Sequence, residues 1–162
     1  MQEESTMVLE SARRHLATLG PLAEQLNDAS DAFTEELKTV EAELGKLNLG
    51  LAVTLDTPLI YGDLEEEVDE QRDEVTGRYR MNSYLAFMRH RQEWKLLVRT
   101  FCDYEDYSEQ VTRSVMKHET PLLTASRELR MAAAEQIEKL LKVIAREAKD
   151  KLESLNKVID KK

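Results

Sequence analysis

The stretch that decides the fold is residues 78–102, which read RYRMNSYLAFMRHRQEWKLLVRTFC. Apolar and polar residues alternate on both sides of a short polar break, which is typical of two strands joined in a hairpin. A loop at residues 90–93 gives a register that gathers one apolar set on one face, and a slip by one residue would scatter that set. The predicted partners are Arg89 with Trp94, Phe87 with Leu96, Leu85 with Val98, Ser83 with Thr100 and Met81 with Cys102.

The opposite face of this hairpin is mixed rather than polar. Large apolar side chains alternate there with basic ones, and such a face needs cover from a helix, a second subunit or a partner. We therefore expect an assembly, most simply a two-fold homodimer. The predicted partner-binding residues on this face are Arg80, Tyr84, Met88, Lys95, Leu97, Arg99 and Phe101.

The hairpin is basic although the chain is acidic. Residues 78–99 hold six basic residues against one acid, a net charge of +5. Because the net charge of the whole chain is −9, the residues outside this stretch carry a net charge of −14. Sheets that bind single-stranded nucleic acid combine such charges with stacking aromatics, but residues 78–102 lack glycine and leave only Tyr84 as an exposed ring between arginines. The arginines could instead face an acidic protein partner, the acidic segment 63–74, or the acidic flanks of the helices.

Each end of the chain carries a stripe of apolar residues, and in both stripes successive members are three or four residues apart in the same order. Both stripes average about 3.67 residues per repeat, which is close to a straight α-helix. Two stripes of equal length in one chain can bury each other, so we expect the terminal helices to pack together. The predicted pairing residues are Leu26, Phe33, Leu37, Val40, Leu44, Ile137, Leu141, Ile144, Leu152 and Leu155.

These patterns predict a single α+β domain over residues 1–162, with long terminal helices packed together and about three antiparallel strands between them. Gly20-Pro21 should kink the first helix, and Thr120-Pro121 should open the last one. A short helix is compatible with residues 103–119. The expected segments are a helix at 4–46, a sheet at 48–102 with an acidic loop at 63–77, and a helix at 120–160.

Composition and charge narrow the class of protein. The net charge of −9 disfavours general binding to nucleic acid or to anionic membranes. A single cysteine, Cys102, suits a reducing compartment. The first ten residues are acidic, and no apolar run reaches the length of a membrane span. We expect an acidic, cytoplasmic protein with no membrane partner.

Local motifs for catalysis are not found in the sequence. His15, His90 and His118 are far apart, and the five glycines form neither a phosphate-binding loop nor a nucleophile elbow. We therefore predict no catalytic residue, no metal ligand and no cofactor. The predicted function is a non-catalytic protein-interaction module, a homo-oligomeric scaffold, adaptor or accessory subunit. The alternatives are a nucleic-acid-associated protein that uses the hairpin 78–101, and an enzyme without a recognisable local motif.

Overall fold

The computed structural model describes residues 2–159, and the side chains of residues 2–9 and 11 are left aside. The chain forms two long helices and one antiparallel sheet, so the predicted α+β class is correct. The sheet has four strands rather than about three. The elements are helix α1 (Gln2–Leu47), strands β1 (Val53–Asp69), β2 (Glu74–His90), β3 (Glu93–Asp106) and β4 (Val111–Pro121), a short 3-10 helix (Leu122–Thr124) and helix α2 (Arg127–Ile159).

The chain divides into two compact units, one ending at Leu37 and one beginning at Lys38. The first unit is the longer part of α1, which continues through Gly20 and Pro21 without a break in the helix. The second unit holds the last turns of α1, the whole sheet and α2.

The sheet is a meander in which each strand pairs with the next, in the order β1-β2-β3-β4. The predicted hairpin is β2–β3, and its register is confirmed at all five predicted pairs, from Arg89 with Trp94 to Met81 with Cys102. The turn is tighter than predicted, since His90 and Glu93 still pair and only Arg91 and Gln92 connect them. Both turn residues have positive φ, +47° and +74°.

The predicted acidic loop is wrong over most of its length. Residues 63–69 continue β1, residues 74–77 belong to β2, and only residues 70–73 form the turn. The β3–β4 turn at 107–110 has the same design. Each turn ends in a residue with positive φ, Asp73 or Gln110, and begins after an aspartate, Asp69 or Asp106, whose side chain accepts backbone N–H groups of the turn.

Residues 103–119 do not form the short helix that their sequence permits, and belong to the end of β3, a turn and β4 instead. Residues 111–121 form β4, an edge strand that pairs with β3 over nearly its whole length. Thr120-Pro121 consequently ends a strand instead of opening the last helix, and α2 begins at Arg127. The side-chain oxygen of Ser126, Oγ, accepts a hydrogen bond from the backbone N–H of Leu129 at 3.3 Å. This contact satisfies one of the free N–H donors in the first turn of α2.

The core of the second unit lies at the centre of the sheet, where β2 and β3 are buried on both faces. Phe87 stacks on Trp94 with ring centroids 5.4 Å apart. Helix α2 lies against β1 and β2, and Gln136 Nε2 donates to the carbonyl oxygen of Pro58 at 2.9 Å. The completely buried side chains of the sheet and the last helix are Leu85, Ala86, Leu96, Leu97, Ala133 and Leu140.

The predicted stripes of the two helices are only partly buried. Leu26, Leu152 and Leu155 are each more than half exposed, so the stripes are not buried along their length. In α2 the buried face is rotated from the prediction, because Leu140 is completely buried while its neighbour Leu141 is exposed. Of the predicted stripe residues, Leu37, Leu44 and Ile144 are buried and Phe33, Val40 and Ile137 are half-buried.

Candidate functional site

The seven predicted partner-binding residues lie on one face of the sheet, which we call the arginine face. The β2–β3 register aligns Tyr84 with Arg99 and Met88 with Lys95, so that alternate residues of both strands point the same way. Arg80 extends this row toward the β1–β2 turn, opposite Asp103. The seven residues are not equally accessible. Leu97 has no exposed surface, because the chain itself covers the position that the sequence predicted to need a partner.

Arg99 is the centre of this face. Its Nε lies 3.3 Å from Glu119 Oε2, and its Nη1 donates to Thr54 Oγ1 at 3.1 Å. The guanidinium carbon stands 5.2 Å from the ring centroid of Phe101, in cation–π geometry. The ring of Tyr84 meets Phe101 edge-on at 5.7 Å. Contacts on three sides hold Arg99 in place, and they join β1, β3 and β4 across the face.

Glu119 is shared between two basic side chains. Besides Arg99, it faces His90, whose Nδ1 lies 2.9 Å from Glu119 Oε1. The histidine comes from the end of β2 and the glutamate from β4, so this contact bridges the two strands that flank β3. The cluster is a structural clamp in which one carboxylate uses both oxygens.

Lys95 is also paired within the chain. Its Nζ lies 2.9 Å from Glu93 Oε2 and 3.7 Å from Glu41 Oε1. The hydrogen bond that Lys95 donates to Glu93, supported by the charge of Glu41, raises the pKa of Lys95. The same contact lowers the pKa of Glu93. Two carboxylates therefore hold Lys95 in its charged form at the end of the arginine face.

A polar groove of about 270 Å³ opens at the other end of the face, beside Leu64 of β1. Arg78 and Glu105 close one side, with Arg78 Nε donating to Glu105 Oε2 at 2.6 Å. We call this feature the Arg80 groove. It is lined by Leu64, Arg78, Arg80, Asn82, Asp103, Glu105 and Thr112.

The acidic residues of β1 serve the arginines only in part. Glu65 and Glu67 accept hydrogen bonds from the hydroxyls of Tyr79 and Tyr104. The Glu67 carboxylate raises the pKa of Tyr104 to about 12. The hydrogen bond to Glu105 of β3 raises the pKa of Arg78, and the charge of Glu66, its partner in register on β1, adds to that rise. The acidic segment 63–74 therefore faces Arg78, whereas Arg99 pairs with Glu119 of β4 and Lys95 with Glu93 and Glu41.

Asp103, Glu105 and Glu119, the acidic residues beside the arginine face, were not predicted from the sequence. Residues 103–119 are compatible with a short helix, which would scatter alternate residues around its axis, so no face shared with the hairpin was expected. A usable signal was present in the cluster of β-branched residues Val111, Thr112 and Val115, which favours a strand.

Among residues 2–159 no cluster of three or more His, Cys, Asp or Glu side chains is arranged to hold a metal ion. Cys102 is a half-buried free thiol. Neither α1 nor α2, over the residues described, has a stretch long and apolar enough to cross a membrane. Comparisons with protein-family models, curated proteins and solved structures found no match to the chain.

Proposed function

We propose that the chain is a non-catalytic protein-interaction module that self-associates through α1 and serves as a homo-oligomeric scaffold or adaptor. The observation that carries the proposal is a row of leucines on the first unit. Leu16, Leu19, Leu22 and Leu26 are 65%, 55%, 55% and 54% exposed. Covering the exposed half of a leucine side chain contributes roughly 1 kcal/mol. Four such residues on one helix are a large apolar surface to leave in water.

The spacing of α1 supports pairing with a second copy. Between Ala12 and Leu37, apolar or small residues recur at alternating steps of four and three, the 3.5-residue period of a left-handed coiled coil. This seam differs from the 3.67-residue stripe of the sequence analysis because it runs through Ala23 and Ser30 instead of Leu22 and Ala29. The seam residues are Ala12, Leu16, Leu19, Ala23, Leu26, Ser30, Phe33 and Leu37. Ser30 and Leu37 are already buried in the single chain, so the part of the seam open to a second copy runs from Ala12 to Leu26.

Between residues 16 and 35 the charges of α1 lie away from this seam, although Arg13 and Glu36 border its two ends. Residues 16–35 contain four charged side chains, and each falls at an outer position of the heptad, b or f. Pro21 falls at an outermost position as well, so it does not interrupt the apolar surface. A second α1 could therefore approach without burying a charge. The four charged residues are Glu24, Asp28, Asp31 and Glu35.

The proposal includes a cytoplasmic location, supported by a composition with one cysteine and an excess of acids. The nucleic-acid alternative has less support from the arginine face. Of its proposed contacts, Lys95 and Arg99 are already paired with carboxylates, and a phosphate would have to displace Glu93 and Glu119.

The experiment compares two double variants by light scattering behind a sizing column. Leu19→Glu with Leu26→Glu places two charges in the seam, and we expect the mass to fall from that of an oligomer to that of one chain. The matched control is Thr18→Glu with Gln25→Glu, which adds the same charges one residue earlier on each turn, outside the seam. An oligomer that survives the seam variant, or that the control also breaks, would rule out pairing through this surface.

A further inference from the structure

We propose that the Arg80 groove binds a carboxylate side chain from an acidic segment of a partner protein. The inference rests on the proposed function, protein interaction, and names the chemistry of a second partner beside the second copy. It concerns the sheet and not the seam of α1, so the two can fail independently.

Arg80 differs from the other two basic residues of the arginine face, Lys95 and Arg99, and from its groove neighbour Arg78. Arg78, Lys95 and Arg99 each have a carboxylate oxygen within 3.3 Å. The side chain of Arg80 makes no ion pair or hydrogen bond to any residue that the structure describes, and its Nε is buried without a partner although the residue is half-buried as a whole. A buried N–H donor without an acceptor is costly, and native proteins normally supply one.

The nearest acid in register is Asp103, but its oxygens are used elsewhere. Asp103 Oδ2 accepts Asn82 Nδ2 at 2.7 Å, and Asp103 Oδ1 accepts the Ser114 hydroxyl at 2.6 Å. Asn82 is only 6% exposed, so its side chain fixes Asp103 from beneath the groove. The remaining oxygen of the amide, Asn82 Oδ1, is buried and has no partner. Internal hydrogen bonds therefore hold the side chains that line the groove, while the side-chain N–H groups of Arg80 have no acceptor among the described residues.

The charges of the groove select the ligand. Arg78 and Arg80 are balanced by Asp103 and Glu105, so a dianionic phosphate would meet two carboxylates as it met two arginines. A single carboxylate needs only the planar fork of one guanidinium, which matches it with two parallel hydrogen bonds. Leu64, about half exposed, gives the methylene groups of a glutamate an apolar wall. A volume of about 270 Å³ accommodates one such side chain.

The test measures fluorescence anisotropy of a labelled, end-capped peptide of alternating Glu and Gly against the full chain at low salt, where screening is weak. We expect binding that Arg80→Gln weakens by about 10- to 100-fold, the value of a charge-assisted hydrogen bond. Arg80→Lys keeps the positive charge but lacks the planar guanidinium, so its affinity for the peptide should lie between that of the native chain and that of Arg80→Gln. The matched control, Arg72→Gln at the exposed β1–β2 turn, removes the same charge outside the groove and should bind as the native chain does.

Three results would overturn the inference. The native chain could fail to bind the peptide, Arg80→Gln and Arg80→Lys could both bind as well as the native chain, or a single-stranded DNA probe or inorganic phosphate could compete better than unlabelled peptide. The variant Leu19→Glu with Leu26→Glu should still bind the peptide, which separates failure of the groove from failure of self-association.

Discussion

Glu41 Oε2 accepts a hydrogen bond from the backbone N–H of Leu96 at 2.8 Å, across 55 positions of sequence. The strand β4 ends at Pro121, opposite Leu97, so on the β4 side of β3 the pairing stops before Leu96, while β2 pairs with Leu96 on the other side. The carboxylate of α1 supplies the acceptor that the missing strand would have provided. A buried acid on a helix therefore completes the hydrogen bonding of the sheet.

Replacing Glu41 with alanine should destabilise the second unit by about 1–3 kcal/mol, because the N–H of the buried residue Leu96 loses the carboxylate acceptor. Urea unfolding followed by circular dichroism measures this change. Glu43→Ala removes an exposed acid from the same helical turn and should change stability by less than about 0.5 kcal/mol. Equal effects of the two substitutions would show that the contact with Leu96 is unimportant.

Two glycines of the sheet leave no room for a side chain. A Cβ on Gly62 would lie 2.2 Å from the carbonyl oxygen of Met81, and one on Gly77 would lie 2.6 Å from that of Glu105. Gly62→Ala and Gly77→Ala should each cost roughly 1–3 kcal/mol, because backbone must move. Gly45→Ala has nothing within 4 Å and lies in a helix, so it should stabilise by roughly 0.5–1 kcal/mol. Thermal unfolding that ranks the three differently would contradict this packing.

The β2–β3 turn has a sequence that does not suit its backbone. Arg91 and Gln92 both adopt the left-handed conformation that Asn-Gly prefers. Arg91→Asn combined with Gln92→Gly should raise the free energy of unfolding by roughly 1 kcal/mol. Differential scanning calorimetry would detect this as a higher Tm. An unchanged or lower Tm would mean that the turn is not strained.

Acid should weaken the link between β1 and α2. A hydrogen bond from Lys139 lowers the pKa of Asp56, with Lys139 Nζ 2.9 Å from Asp56 Oδ1. Because the folded pKa is depressed, the stabilisation is complete above the ordinary value of about 3.9 and is lost as the pH falls through the lower folded value. Lys139→Met should therefore be less stable than the native chain at neutral pH, and the difference should shrink at pH values below the folded pKa. A difference in urea unfolding that does not change with pH would contradict this coupling.

The β2–β3 register was predictable because it depends only on local alternation. Leu85, Phe87, Leu96 and Val98 have a period of two, and one register alone places them together. The position of β4 was harder to predict, because an exposed edge strand carries no buried face and hence no alternation of polarity. Its residues 111–118 are all exposed.

Long-range partnerships also escaped prediction. The acidic run 63–74 looked like a solvated loop because charge is usually a sign of exposure. Part of it is a strand whose Glu65 and Glu67 receive tyrosine hydroxyls from β2 and β3. In the candidate site, the set of seven residues was predictable from register, whereas the difference between the paired Arg99 and the unpaired Arg80 depends on Glu119, which the fold brings in from β4.

Self-association is tested most directly by sedimentation equilibrium of the native chain at micromolar concentrations. We predict a species of twice the 18.7 kDa chain mass, or a larger multiple, that dissociates when Leu19 and Leu26 are both replaced by glutamate. A mass of one chain across the whole concentration range would contradict the account, because the exposed leucines of α1 would then have no second copy to cover them.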